Sequence, residues 1–205
     1  RYKKNGFINY IIFSFVTFLE TFAMLLANHI VVINNNLKNQ LQKRMLLKSK
    51  KITVVENAVD LDRVRISIRN KNNFVFGYIG TLSPIEGLDL LIMAFNNLQI
   101  KNKLLIFGDG IECEKLKKLA NGNSNIEFRG KVLNDEISKA YSQVDVIINP
   151  RKKSYLTDSV TPLKPLEAMA YKKLVLASDV GGMKELVKNE INGIIFKSDS
   201  YKEIK

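Results

Sequence analysis

From residue 74 onward, short apolar runs alternate with stretches of helical periodicity, and this alternation constrains the fold more than any other feature of the chain. Loops marked by glycine, proline or a basic residue follow the runs. Strands that alternate with helices at this spacing form a parallel, doubly wound sheet with right-handed crossovers. The sequence therefore predicts an α/β fold with strands at 74–79, 103–107, 126–128, 144–148, 174–177 and 193–196.

The predicted helices occupy the intervals between these strands, and the loops before them collect at one edge of the sheet. Open α/β sheets bind ligands at the carboxyl ends of their strands. Helical periodicity and helix-start signals place the helices at 85–98, 112–120, 135–141, 165–171 and 182–187.

Glycines crowd this predicted edge. One glycine alone is most simply an ordinary turn or cap residue, but the set together with Arg151 and Lys164 favours a nucleotide site. No strand is followed by a Gly-x-Gly-x-x-Gly motif and no Gly-x-x-x-x-Gly-Lys motif is present, which argues against dinucleotide and P-loop sites. The glycines are Gly80, Gly108, Gly110, Gly130, Gly181 and Gly182.

The stretch 157–193 combines a loop, a helix start, a buried strand and a second glycine-marked helix start. Pro165 suits the first helical position, where its missing N–H costs nothing. Lys164 precedes a proline and is therefore expected to be extended rather than helical. Glu167 lies near the predicted helix N-terminus, where a carboxylate complements the helix dipole even without a functional role.

Residues 6–33 form a long apolar run. Its length suits a membrane span, but Glu20 in its middle argues against one, because ionisable groups are costly in a bilayer. A break near Asn28 divides the run into a helix at 6–27 and a strand at 29–33. A buried core helix followed by a strand is the favoured interpretation, with a membrane span as the alternative and a signal peptide disfavoured.

The segment after this run predicts a basic amphipathic helix at 37–48 and a short strand at 52–55. A charged stretch without aromatic residues then reaches residue 73 and is the best candidate for a linker. The predicted organisation is therefore an incomplete N-terminal domain at 1–56, a linker at 57–73 and a larger domain at 74–205.

The formal net charge of +12 favours an anionic partner, such as nucleic acid, anionic lipid or a phosphorylated small molecule. Nucleic acid is disfavoured, because no aromatic ladder or helix-turn-helix pattern accompanies the basic residues. One cysteine, Cys113, leaves no disulfide within the chain and fits a reducing compartment. The sequence has one histidine and one cysteine, too few of these common metal ligands to indicate a metal site, so no metal is expected.

Several motifs follow one another along the chain, and their order carries more weight than any one of them. The motifs are Asn57-Ala-Val-Asp60, Gly80-Thr-Leu-Ser-Pro-Ile-Glu-Gly, Gly108-Asp-Gly, Gly130-Lys-Val, Pro165-Leu-Glu-Ala-Met-Ala, Ala177-Ser-Asp-Val-Gly-Gly and Asn192-Gly193. In this order they resemble the nucleotide-sugar domain of retaining family 4 glycosyltransferases, which have the GT-B fold. The resemblance implies a GT-B-type fold with a partial second domain and without the last family helix.

The resemblance also implies roles for individual residues. Glu167 is expected to accept hydrogen bonds from the ribose hydroxyls, while Lys131 and Val132 flank the base. Gly80 lets the diphosphate approach the first loop. Thr161, Leu163 and Lys164 are expected to present backbone N–H groups or charge to the diphosphate, and Arg151 and Lys164 to stabilise the leaving group without a metal.

The sequence departs from the family pattern at two places within the site. The family commonly carries a pair of glutamates, and Ser159 stands in place of the first while Glu167 matches the second. Thr81 and Glu86 occupy the first-loop region where a diphosphate-binding arginine and lysine often lie. Arg151 and Lys164 are expected to compensate from neighbouring loops, as in a subgroup with the same Pro-Leu-Lys-Pro-Leu-Glu motif.

The implied function is transfer of a hexosyl-type sugar, with retention of configuration, from a nucleoside-diphosphate sugar to a glycan or lipid-linked acceptor in polysaccharide biosynthesis. No cofactor beyond the donor substrate is expected. The expected location is the cytoplasm, with possible peripheral contact of the basic helix 37–48 with the inner face of the plasma membrane. The alternative is a non-catalytic fragment or scaffold that binds a nucleotide or sugar; a periplasmic-type sugar sensor is disfavoured.

Overall fold

The computed structural model describes residues 6–44, 47, 51–67, 73–98 and 101–204. Contacts divide the chain into two compact units, one at Arg1–Glu56 and one at Asn57–Lys205. That residues 57–73 act as a linker between domains stays a prediction.

The first unit contains a long helix, a short helix and a small parallel sheet. Its elements are α1 (Gly6–Leu26), β1 (Ile30–Val32), α2 (Asn35–Gln42) and β2 (Ile52–Val54). The two strands pair in parallel, with Ile30 opposite Ile52. Their buried side chains form a core with Leu41 and Leu47.

Helix α1 is exposed, so the prediction of a buried core helix is wrong. Large apolar side chains such as Phe15 and Phe18 are about 60% and 63% exposed. Within this unit, Met24 and Leu25 of the last turn pack on the small core, and strands of three residues offer too little surface to cover 21 helical residues. By length and composition the segment Asn9–Leu26, with mean hydropathy 1.6, is apolar enough to cross a membrane.

Helix α2 is shorter than the predicted helix at 37–48. It begins earlier, because the side chain of Asn34 accepts a hydrogen bond from the amide of Leu37 at 2.6 Å and caps the first turn. It ends at Gln42. Residues 45, 46 and 48 of the predicted helix lie outside the described residues.

The second unit contains the predicted parallel sheet. Every described pairing between its strands is parallel, and the order is β5-β4-β3-β6-β7-β8. This order confirms the α/β fold class and is that of the Rossmann fold. The strands are β3 (Val75–Ile79), β4 (Lys103–Phe107), β5 (Ile126–Gly130), β6 (Val146–Asn149), β7 (Leu174–Ser178) and β8 (Ile194–Phe196), each within two residues of its predicted bounds.

Helices cover both faces of this sheet. They are α3 (Leu88–Asn97), α4 (Cys113–Ala120), α5 (Ile137–Ser142), α6 (Tyr155–Ser159), α7 (Lys164–Ala170) and α8 (Gly181–Lys184). One apolar core contains Leu91 of α3 and Leu116 of α4, and the other contains Tyr141 of α5 and Ala168 of α7.

Several helix boundaries differ from the predictions. Helix α3 begins at Leu88 because a 3-10 turn at Pro84–Glu86 and left-handed Gly87 precede it. Helix α6 lies where the sequence predicts a loop, because Ser154 and Thr157 form a capping box that starts a helix there. Helix α8 ends at Lys184 rather than at residue 187. Lys164, expected to be extended, is the first residue of α7.

Close contact between glycine-containing loops fixes the carboxyl edge of the sheet. Gly108 has φ of 138°, and a Cβ atom on it would lie 1.8 Å from the carbonyl oxygen of Gly80. The loops after β3 and β4 therefore approach each other at a distance that only glycine allows.

We predict that Gly108→Ala lowers the free energy of unfolding by more than about 3 kcal/mol, because the clash adds to the strain of the backbone conformation. Gly122→Ala is the matched control, since φ is 69° there and nothing lies within 4 Å of an added Cβ. The control should lose about 1–2 kcal/mol. Urea unfolding of both variants measures the difference, and equal losses would contradict the packing described here.

Candidate functional site

The order of the strands places a crevice between β3 and β6. The direction in which successive strands are added to the sheet reverses here, since β4 and β5 lie on one side of β3 and β6 to β8 on the other. Ligands of open α/β sheets bind outside the carboxyl ends of the strands at such a switch point. The loop that begins at Gly80 and the loop that contains Arg151 border it.

Backbone hydrogen bonds join the loops at this edge. The amide of Gly80 donates to the carbonyl of Phe107 at 2.9 Å, and the amide of Gly108 donates to the carbonyl of Gly130 at 2.7 Å. On the other side, the amide of Lys152 donates to the carbonyl of Ile85 at 3.0 Å. The loops after β3, β4, β5 and β6 thus form one connected rim.

A cavity of about 430 Å³ opens on this rim. Three of the residues predicted to bind the nucleotide, Gly80, Lys131 and Val132, line it. Arg151, Thr161, Leu163, Lys164 and Glu167 do not line it. The other residues around the cavity are Ile79, Thr81, Phe107, Gly108, Asp109, Gly110 and Ile137.

A buried ionic cluster lies next to Gly80, which lines the cavity. One carboxylate oxygen of Glu86 is 3.2 Å from a guanidinium nitrogen of Arg151, and the other is 2.8 Å from Nζ of Lys164. The side chain of Glu86 is 5% exposed and that of Arg151 is 10% exposed. The structure therefore brings together both residues predicted to stabilise a leaving group.

Lys164 reaches across the first loop to make this contact. Its amine donates to the hydroxyl of Tyr78 at 3.0 Å, and a Cβ atom on Gly80 would lie 2.3 Å from Cε of Lys164. Burial lowers the pKa of Lys164, and the nearby carboxylate of Glu86 opposes that shift. Burial and then Glu86 raise the pKa of Tyr78, so its hydroxyl stays protonated and donates to the carbonyl of Thr81.

Arg151 and Asn149 carry buried polar atoms without hydrogen-bond partners in the described structure. Nε and Nη1 of Arg151 and both amide atoms of Asn149 are in this state. Leaving such groups unpaired costs about 1–3 kcal/mol each. Both residues lie at or just after the carboxyl end of β6, and buried polar atoms of this kind are typical of binding sites.

Glu167 lies in the first turn of α7 and is half-buried. The hydroxyl of Tyr141 donates to its carboxylate at 3.4 Å, and the ring of Tyr141 stacks on Tyr171 with 4.2 Å between centroids. Burial and then Glu167 raise the pKa of Tyr141, so this hydroxyl remains a donor. Glu167 also acts electrostatically on Lys164, which connects it to the ionic cluster.

Thr161 and Leu163 lie in the loop before α7. The hydroxyl of buried Thr161 donates to Glu185 at 3.0 Å, and its carbonyl accepts from the side chain of Asn57 at 3.3 Å. Leu163 is 43% exposed. The structure thus holds Thr161 in place and leaves the side chain of Leu163 at the surface.

Residues 73–205 match the family model described as "Glycosyl transferases group 1". This chain belongs to that glycosyltransferase family. The match covers all six strands of the larger sheet and every predicted site residue.

Relatives and solved structures agree with this assignment. An uncharacterised glycosyltransferase from Methanocaldococcus jannaschii is 28% identical over 87% of this chain and 48% of its own length. The UDP-Gal:alpha-D-GlcNAc-diphosphoundecaprenol alpha-1,3-galactosyltransferase of Escherichia coli is 27% identical over 87% of this chain and 50% of its own length. The chain therefore spans about half the length of these relatives.

The likeness to solved structures concerns the fold. Sucrose-phosphate synthase from Thermosynechococcus elongatus superposes with a TM-score of 0.76 at 18% identity, over 91% of this chain and 49% of that one. The chain thus shares the fold of GT-B glycosyltransferases.

The second helix start marked by glycine, at Gly181 and Gly182, packs directly against helix α6. The amide of Gly181 donates to the carboxylate of Asp158 at 2.7 Å. A Cβ atom on Gly181 or Gly182 would lie 2.4 or 2.1 Å from a backbone oxygen of α6 or its cap. These two glycines therefore serve the contact between α6 and α8 rather than the rim predicted from the sequence.

The described residues contain no group of three or more histidine, cysteine, aspartate or glutamate side chains arranged for a metal. The sequence does contain one Asp-x-Asp pair, Asp60 and Asp62, near the start of this unit. Asp60 caps a 3-10 turn there by accepting from the amide of Asp62 at 3.1 Å, and it pairs with Arg63 at 3.0 Å.

Sequence reasoning missed Glu86 and Tyr78 as members of the site. In the sequence, Glu86 stands out only as a departure from the family pattern. A sequence signal for it exists, since a carboxylate just before an apolar helix needs a cation if the loop is buried. Tyr78 lies within an apolar strand, where its hydroxyl gives no signal of its own.

We predict that Lys164→Met lowers the free energy of unfolding by about 1–3 kcal/mol, because it leaves one oxygen of buried Glu86 without the cation that lies 2.8 Å from it. Lys131→Met is the control, since Lys131 is exposed on the same rim and should change stability by less than about 0.5 kcal/mol. Urea unfolding of both variants checks this. Equal stability of the two would show that Lys164 is a solvated surface residue.

Proposed function

We propose that this protein is a retaining glycosyltransferase of family 4, and that its larger unit binds the nucleoside diphosphate of a sugar donor. The observation that carries the proposal is the buried cluster at the switch point. Arg151 and Lys164 outnumber Glu86 there by one positive charge, and Lys164 lies against the first loop at Gly80. A buried excess of positive charge next to a rim of glycine loops suits a diphosphate.

The remaining residues give the donor an orientation. Lys131 and Val132 in the cavity flank the base. Glu167, half-buried at the start of α7, accepts hydrogen bonds from the ribose hydroxyls, and Tyr141 holds its carboxylate. Thr161 and Leu163 present the backbone of their loop to the diphosphate. The proposal extends the roles that the family resemblance implies for these residues.

In the proposed reaction, the bond between the anomeric carbon of the donor and the β-phosphate oxygen breaks. The electron pair stays on the diphosphate, where Arg151 and Lys164 stabilise the developing charge without a protein-bound cofactor. A hydroxyl oxygen of the acceptor forms the new bond on the same face of the sugar, and its proton passes to the β-phosphate oxygen of the departing diphosphate. The transferred group is a hexosyl-type sugar.

The names of the relatives support a proposal for the donor and acceptor classes. The Escherichia coli relative carries UDP-Gal and a diphosphoundecaprenol-linked sugar in its name, which makes UDP the first probe for this chain. We propose a glycan or lipid-linked acceptor in polysaccharide biosynthesis and a cytoplasmic location. Contact with the inner face of the plasma membrane is part of this proposal, supported by the net charge of +12 and by the exposed apolar side chains of α1.

One observation favours a second candidate function, a non-catalytic nucleotide-binding protein. Ser159 replaces the first glutamate of the family pair, is 4% exposed and donates its hydroxyl to the carbonyl of Tyr155 at 2.6 Å. It therefore does not present a carboxylate to the sugar. Release of free UDP from UDP-sugars together with sugar transfer to lipid-linked acceptors distinguishes an enzyme from such a protein.

We predict that the full chain binds UDP and that Glu167→Gln raises the dissociation constant ten- to a hundred-fold. Loss of a charge-assisted hydrogen bond to the ribose is worth about 1.5–3 kcal/mol. If Glu167 only complemented the helix dipole, the change would cost stability of about 0.3–1 kcal/mol and leave binding intact. Isothermal titration calorimetry with UDP measures the constant, and the melting temperature should stay nearly unchanged.

The control for this measurement is Glu136→Gln, which removes the same charge from an exposed carboxylate that pairs with Lys139. It should bind UDP as the wild type does. Wild-type affinity in the Glu167→Gln variant would move the ribose site elsewhere on the rim. Absence of UDP and GDP binding by the wild-type chain would contradict the proposed function.

A further inference from the structure

Glu86 occupies a fixed position between the loops on either side of the switch point. It ends the 3-10 turn at Pro84–Glu86, and Gly87 follows with a φ of 70°. A Cβ atom on Gly87 would lie 2.0 Å from the carbonyl oxygen of Pro150, so the backbone after Glu86 packs directly on the loop after β6. The carboxylate therefore has little freedom to move away from its partners.

The two cations that Glu86 contacts come from separate parts of the chain. Arg151 follows β6, and Lys164 begins α7. Each uses a different oxygen of the same carboxylate, at 3.2 Å and 2.8 Å. Glu86 thus connects three segments, and its contacts set the distance between the guanidinium group and the amine.

Other groups around the cluster do not replace this carboxylate. Tyr78 of β3 contacts the amine of Lys164 through a neutral hydroxyl at 3.0 Å. Glu167 of α7 acts on Lys164 only as a weaker electrostatic contribution than Glu86. Arg151 disfavours the charge on Lys164, since both are cations. Without Glu86, the two cations repel each other and the buried amine loses its proton more easily.

Two roles of Glu86 predict opposite effects on an anionic ligand. If Glu86 served only to neutralise charge, its removal would make the cluster more positive and strengthen the binding of a diphosphate. If it fixes the positions of the two cations, its removal would separate them and weaken binding, because a diphosphate needs both in register. The short contacts and deep burial of Glu86 favour the second role.

We propose that Glu86 is a positioning residue that holds Arg151 and Lys164 together as one diphosphate-binding unit. This rests on the proposed function of the site. It gives a role to a carboxylate that stands where other family members often carry a diphosphate-binding cation. The two cations of this chain lie instead on neighbouring segments, and Glu86 orients both.

The test compares Glu86→Gln with the wild-type full chain in two measurements. Calorimetry with UDP should show a dissociation constant at least ten times higher in the variant. NMR of the Lys164 side-chain amine in the ligand-free chain should show a lower pKa, because the carboxylate that favours its charge is gone. A role limited to packing would lower the melting temperature without moving this pKa.

The matched control is Asp89→Asn, which removes one carboxylate three residues further on, where Asp89 pairs with Lys152. It should leave both the UDP affinity and the pKa of Lys164 unchanged. Glu86→Asp keeps the charge on a shorter side chain that reaches only one cation, and should weaken UDP binding several-fold. It decides the question in the same way if Glu86→Gln does not fold.

Unchanged or tighter UDP binding in Glu86→Gln, or in Glu86→Asp where that variant is used, overturns the positioning role. It leaves the proposed function in place, because the wild type still binds UDP. If the wild-type chain does not bind UDP or GDP at all, the proposed function fails and the diphosphate-binding unit fails with it. The two failures are therefore distinct in the same experiment.

Discussion

Charged side chains remain buried in a protein only when each finds an opposite charge, and this constraint shapes the centre of the second unit. Glu86 satisfies it for Arg151 and Lys164 at once, with contacts of 3.2 Å and 2.8 Å. Because the three residues come from separate segments of the chain, the segments cannot move apart without exposing or unpairing a charge. The ionic cluster thus ties the two halves of the sheet together at the place where ligands of this fold bind.

Glycine makes this arrangement sterically possible. Lys164 passes over Gly80, and the backbone after Glu86 packs on Pro150 at Gly87, with no room for a side chain at either position. Gly108 brings the neighbouring loop against Gly80 in the same way. The glycines that border the cavity and the charges that lie beside it are therefore parts of one structure. A diphosphate would meet backbone amides on one side and paired cations on the other.

Local patterns in the sequence predict the sheet well, because an apolar run such as Leu174–Ala177 has no alternative to burial. They fail where tertiary contacts decide. An apolar helix such as α1 has the same composition whether other elements cover it or not, so its sequence does not reveal that its large side chains are exposed. The capping box of Ser154 and Thr157 starts a short helix inside a predicted loop. Glu86 gives no hint of its partners, which follow it by 65 residues or more.

The central claim is that a nucleoside diphosphate binds at the switch point against the paired cations. The structure of the full chain in complex with UDP tests it most directly. The account predicts diphosphate oxygens within hydrogen-bonding distance, about 2.7–3.2 Å, of Lys164 or Arg151 and next to the backbone of Gly80. A diphosphate bound at Lys38 of α2 or at the start of α8, with the Glu86 cluster unchanged and without ligand, would contradict it.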